Sequence, residues 1–112
     1  MSKTRTALFA AVALVTFTAA AYADDPASDY TLTLKDHAWT PANLTVPAGQ
    51  KIKLTVKNLG DKPAEFESAT LNREKVVTPH GDITVFVGPL DAGSYTYFDD
   101  FDRATTATIT AK

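Results

Sequence analysis

Three features predict an all-β domain built as a sandwich or barrel. Apolar and polar residues alternate with period two in several stretches, turn residues separate those stretches at regular spacing, and no segment shows a convincing helical period. About seven to eight short strands are expected. With 112 residues, the chain has the length of a single domain.

The N-terminal stretch stands apart. Lys3 and Arg5 precede an apolar run from Ala7 to Ala21, and Ala21-Tyr22-Ala23 places small residues where a signal peptidase reads. Residues 1–23 are therefore expected to be a cleavable secretory signal, too short for a comfortable membrane span. Residues 24–29, polar and containing Pro26, are expected to be a flexible leader, and residues 30–112 the folded domain. Cleavage removes two basic residues and no acid, taking the formal net charge from −2 to about −4. A mildly acidic exported domain is a poor candidate for binding nucleic acid or anionic lipid. No later apolar run is long enough to insert into a membrane.

Along the domain, Tyr30, Leu32 and Leu34 point one way and Thr31, Thr33 and Lys35 the other. Asp36 to Pro41 reads as a connection carrying His37 and Trp39. Leu44 and Val46 form a short strand stopped by Pro47-Ala48-Gly49. The clearest strand follows, with Ile52, Leu54 and Val56 alternating with lysines and Thr55, which gives one buried and one solvated face. Asn58-Leu59-Gly60-Asp61 is turn chemistry. Ala64, Phe66 and Ser68 oppose Glu65 and Glu67. Arg73 to Thr78 fits a strand or a helical turn. Ile83, Val85 and Val87 share a β-branched face. Asp91-Ala92-Gly93 turns the chain into the last strands, Ser94 to Asp99 and Thr105 to Ala111.

The candidate chemistry is carboxylate chemistry. Tyr95, Tyr97 and Asp99 share a strand face, so tyrosines that face the core carry Asp99 to its inward rim. A carboxylate there must be paired, hydrogen-bonded or metal-bound; the alternative is that the strand ends earlier and Asp99, Asp100 and Asp102 are solvated turn residues. Glu65 and Glu67 project from one side of a strand and repel unless solvated or bridged by a cation. His37 lies in a loop beside Trp39, and His80 in the exposed turn Thr78-Pro79-His80-Gly81. Trp39 reads as core or rim packing rather than an electron relay. Arg73 and Glu74 read as a surface pair. No nucleophile motif surrounds Ser68 or Ser94, and no phosphate-cradling glycine loop is present.

The order of these elements, with Leu44 to Gly49, Asn58 to Gly60, Glu65-Phe66-Glu67-Ser68, Arg73-Glu74-Lys75-Val76-Val77, Val87-Gly88-Pro89-Leu90 and Tyr97-Phe98-Asp99-Asp100-Phe101, resembles the cupredoxins. More closely, it resembles the periplasmic cupredoxin-like proteins of bacterial ferrous-iron uptake systems of the Ftr and Efe types. The resemblance spans Tyr30 to Ala111. It implies a Greek-key β-sandwich and a periplasmic protein that binds copper or iron beside an iron permease and a periplasmic iron-binding partner. It also implies that some relatives carry cysteine at the positions of Trp39 and Asp99, and histidine at that of Asp102.

The chain has no cysteine, and its one methionine is Met1. A type 1 blue-copper site, which needs a thiolate, is excluded, and carboxylates with at most two imidazoles suit Fe(II), Fe(III), Cu(II) or Mn(II), with Ca(II) as the nearest competitor. The expected ligands are Glu65, Glu67, Asp99, Asp100 and Asp102 with His37; His80 is a secondary candidate, and the resemblance implies a lid role for Trp39, which stands in the family's metal-site loop. The expected role is iron oxidation or delivery, as a binding or electron-transfer protein with accessory ferroxidase activity left open. The alternative is a metal-free interaction module that docks a transporter partner through its acidic cluster.

Overall fold

Nine β-strands account for the regular structure of the computed structural model, which describes residues 27–112. The expected signal segment 1–23 lies outside the described residues, as does the leader up to Pro26. The end of that leader is strand: β1 runs Ser28–Lys35, followed by β2 Ala38–Thr40, β3 Asn43–Val46, β4 Ile52–Asn58, β5 Ala64–Ser68, β6 Arg73–Val77, β7 Asp82–Val87, β8 Gly93–Asp99 and β9 Asp102–Ala111. The strands form two sheets, one ordered β2-β1-β4-β7 and the other β3-β9-β8-β5-β6. In each sheet one neighbouring pair is parallel, β1 with β4 and β3 with β9; the other pairs are antiparallel.

The period-two pattern explains the layering. Leu32, Ile52, Leu54 and Val56 of the first sheet and Val46, Phe66, Tyr97 and Ile109 of the second are almost wholly buried between the sheets. Burying one such side chain contributes about 1.5–3 kcal/mol. Near the centre, Trp39 meets the Tyr97 ring edge-on at 5.2 Å, and Phe66 and Tyr97 lie 5.3 Å apart. Trp39 is thus a core residue that joins the sheets, and its Nε1 donates to the Thr105 carbonyl at 2.9 Å. Burial also raises the Tyr97 phenol above its ordinary pKa.

The sequence reading treated Asp36 to Pro41 as a plain connection. It instead contains a tight hairpin with Asp36 and His37 at its tip, both with positive φ (49° and 62°). That is the backbone of a type I′ turn, and it lets three residues return as β2. Arg73 to Val77 resolves as strand, paired with β5.

Two buried polar side chains organise the loops around the site. Asn58 donates from Nδ2 to the Lys62 carbonyl (2.7 Å) and the Val77 carbonyl (3.2 Å), and accepts from the Gly60 N–H (2.9 Å), which fixes the β4–β5 turn. Ser68 donates to the Thr96 carbonyl (2.7 Å) and accepts from the Leu71 N–H (3.1 Å), which fixes the end of β5.

Candidate metal centre

Strand parity sets the geometry. Phe66 is driven into the core, so Glu65 and Glu67 must emerge on the outer face of β5. Glu67 is paired with Glu74 of β6 on one side and with Phe98 of β8 on the other. After Phe98 the chain passes Asp99 and turns through Asp100 and Phe101 into β9, with a register irregularity at Phe98 and Asp99. The Asp100 N–H donates to the Glu65 carbonyl at 2.9 Å. That bond draws the hairpin tip against the start of β5. Glu65, Glu67 and Asp100 each bring a carboxylate oxygen within 4.8 Å of the other two.

The electrostatics of this group are unusual. Glu65 is only 9% exposed, and its Oε1, like Oε2 of Glu67, is buried with no hydrogen-bond partner. The Glu65 carboxyl is pushed up from 4.5 to about 7, first by sharing a hydrogen bond with the Glu74 carboxyl, then by burial and the charges of Glu74, Asp100 and Glu67. The Glu67 carboxyl is raised as well, chiefly by burial and then by its hydrogen bond with Asp100, while Arg103 pulls it the other way. Facing carboxylates have acceptors but no donor between them. They relieve this by holding a proton or by holding a cation. The site is therefore chemically suited to a hard or borderline cation with oxygen ligands.

The six residues expected as ligands divide between two places. Glu65, Glu67 and Asp100 converge on the outer face. Asp99 points inward, as parity requires, and is buried; its Oδ1 accepts the N–H of Glu65 (2.9 Å) and of Phe101 (3.0 Å). One oxygen of this carboxylate is therefore held by backbone, and Asp99 also lines the same cleft as Asp102. Asp102 pairs with His37 Nδ1 at the exposed mouth of a cleft of about 540 Å³ bounded also by Asn58, Leu59 and Phe101. Asp99, Asp102 and His37 are not part of the converging group. His80 sits in an exposed turn and bonds Asp61 at 2.6 Å, and Trp39 is in the core.

Two members of this surface escaped the sequence reading. Glu74 does not pair with Arg73, whose Nε donates to the Phe86 carbonyl at 3.0 Å; it stands directly across from Glu67. Arg103 binds Asp100. The signal for Glu74 is the short link between Ser68 and Arg73, which makes β5 and β6 a hairpin and brings Glu74 opposite the Glu-Phe-Glu segment.

Fold and site together define a small two-sheet β-sandwich with a carboxylate cluster on the outer face of one sheet. The chain belongs to the cupredoxin-like domain family, which matches residues 6–111. An uncharacterized protein of Rickettsia prowazekii (strain Madrid E) is 43% identical over 74 residues, 66% of this chain, and the match spans 59% of that protein. In fold the chain is similar to the metal-binding domain of the Cu(I)-exporting P-type ATPase CopA of Streptococcus pneumoniae D39, solved with Cu(I) (TM-score 0.67, 10% identity, 75% of this chain and 84% of that one). It is also similar to auracyanin from Roseiflexus castenholzii (0.64, 16%, 78% and 99%) and to amicyanin from Paracoccus versutus (0.61, 18%, 80% and 87%). At these identities the likeness concerns the fold.

A type 1 copper centre does not fit this chain, because no cysteine is available to supply the thiolate. The orphaned oxygens of Glu65 and Glu67 fit a cation bound by oxygen.

Proposed function

We propose that this chain is an exported cation-binding protein of a ferrous-iron uptake system, and that Glu65, Glu67 and Asp100 hold the ion. The observation that carries the proposal is the buried, unpartnered Glu65 Oε1 within a group of three converging carboxylates. Burying such a group costs stability unless something compensates it, and a divalent or trivalent cation does so. The iron context rests on the resemblance of Glu65 to Ser68 and Tyr97 to Phe101 to periplasmic iron-uptake cupredoxins. In that setting the protein would pass iron to a permease or to a periplasmic iron-binding partner. Dense carboxylate ligation stabilises the higher charge of iron, and that is the chemistry such a site would supply.

The test is calorimetric titration of the purified protein with Cu(II), Ca(II), and Mn(II) as a redox-inert stand-in for Fe(II). One tight site for Mn(II) or Cu(II) supports the proposal and justifies a ferrous-oxidation assay. No site, together with salt-sensitive and chelator-insensitive capture of an iron permease, would favour the docking module instead.

A further inference from the structure

We propose that Arg103 is a resident counter-charge of the carboxylate group, displaced by a bound cation, and that it sets the affinity and charge selectivity of the site. The inference rests on reading Glu65, Glu67 and Asp100 as that site.

Four ion pairs join the described residues, and Arg103–Asp100 alone reaches this group. Arg103 approaches Asp100 Oδ1 with Nη2 at 2.8 Å and Nε at 3.0 Å. Both donors fall on Oδ1, so Arg103 makes no bond to the other oxygen of Asp100. The guanidinium lies over the Phe98 ring, 5.7 Å from its centre. Phe98 is the strand neighbour of Glu67, so the fork is suspended above the face on which the glutamates stand.

The Arg103 side chain is also 75% exposed. An exposed pair of this kind is held weakly, and the long side chain can swing into solvent at small cost. Without a cation, Arg103 offsets part of the repulsion among the acids and keeps their geometry. An entering ion meets it as a like charge. The resulting penalty grows in proportion to the ion's charge, so Arg103 weakens the binding of trivalent ions more than that of divalent ones. The site thereby keeps a releasable grip on the ions that carboxylates hold most strongly.

The experiment is calorimetric titration with Mn(II) and La(III) at low ionic strength, using the wild type, Arg103→Gln and Arg103→Lys. Arg103→Gln should bind both ions more tightly, by about threefold for Mn(II) and about fivefold for La(III), with the gain shrinking at high salt. Arg103→Lys, which keeps the charge and loses the fork, should stay near the wild type. If Arg103→Gln binds equally or more weakly, the inference is overturned, and weaker binding would make Arg103 a group that only orients Asp100. Failure of the wild type to bind either ion shows before any variant is compared, and it overturns the underlying cation-site reading instead.

Discussion

The Asp99 carboxylate accepts the Glu65 backbone N–H at 2.9 Å, and so ties the end of β8 to the strand that carries the carboxylate cluster. The same oxygen accepts the Phe101 N–H at 3.0 Å and shapes the turn that presents Asp100. Asp99 therefore builds the site from beneath: it positions Glu65 and Asp100 without joining them.

Removing that acceptor should be costly. Asp99→Ala leaves two backbone donors without their partner and is expected to destabilise the fold by about 2–4 kcal/mol, with Asp99→Asn, which keeps an oxygen, costing less. Denaturant unfolding measures both. A loss below about 1 kcal/mol, the scale of an ordinary surface change, would contradict this role.

Glu67 should matter in the opposite sense. It stands across from Glu74 and close to Asp100, so Glu67→Ala relieves repulsion in the metal-free protein and is expected to raise its thermal stability. The same change should weaken Mn(II) binding by more than about a hundredfold, since even groups one shell behind a ligand cost 10–100-fold. Thermal melts with and without Mn(II) should show both effects crossing over in one variant.

The raised Glu65 carboxyl fixes a pH dependence. Its folded pKa of about 7 lies above the ordinary 4.5, so between these values the folded state holds more protons than the unfolded state. Metal-free stability should then fall as pH rises from about 4.5 to about 7 and level off above. The stabilisation gained on adding Mn(II) should run the other way, growing as pH rises through 7, because the proton must leave before the ion binds. Glu65→Gln should flatten the metal-free profile. An unchanged profile in that variant would assign the slope to another group.

Trp39 and His37 separate packing from binding. Trp39→Phe leaves the buried Thr105 carbonyl without its indole donor and is expected to cost about 1–3 kcal/mol, with Mn(II) affinity unchanged in the folded protein. His37→Ala breaks an exposed pair with Asp102 and should change stability by less than about 1 kcal/mol, also without affecting Mn(II) binding. A large loss of affinity in His37→Ala would move the site to the cleft mouth.

Much of the sandwich was legible because its pattern has period two. The alternation around Ile52, Leu54 and Val56, the inward turn of Phe66 and Tyr97, and the outward turn of Glu65 and Glu67 all follow from strand parity. The β2 hairpin was not legible, because Asp-His is a poor signal for a turn that needs two positive φ values. Parity brought Asp99 inward correctly, but sequence could not show that backbone N–H groups would hold one of its oxygens. It also could not show that adjacent Asp99 and Asp100 would face opposite sides of the sheet, or that the β5–β6 pairing would put Glu74 against Glu67. Those relationships depend on strand register and on the tight turn after Phe98.

The most direct test of the central claim is a Mn(II) titration of three proteins: the wild type, Glu65→Gln and Asp102→Asn. A single site present in the wild type, lost in Glu65→Gln and kept in Asp102→Asn would place the ion on the outer face with Glu65, Glu67 and Asp100. Binding that survives in Glu65→Gln and disappears in Asp102→Asn would contradict the account and put the ion at the cleft beside His37.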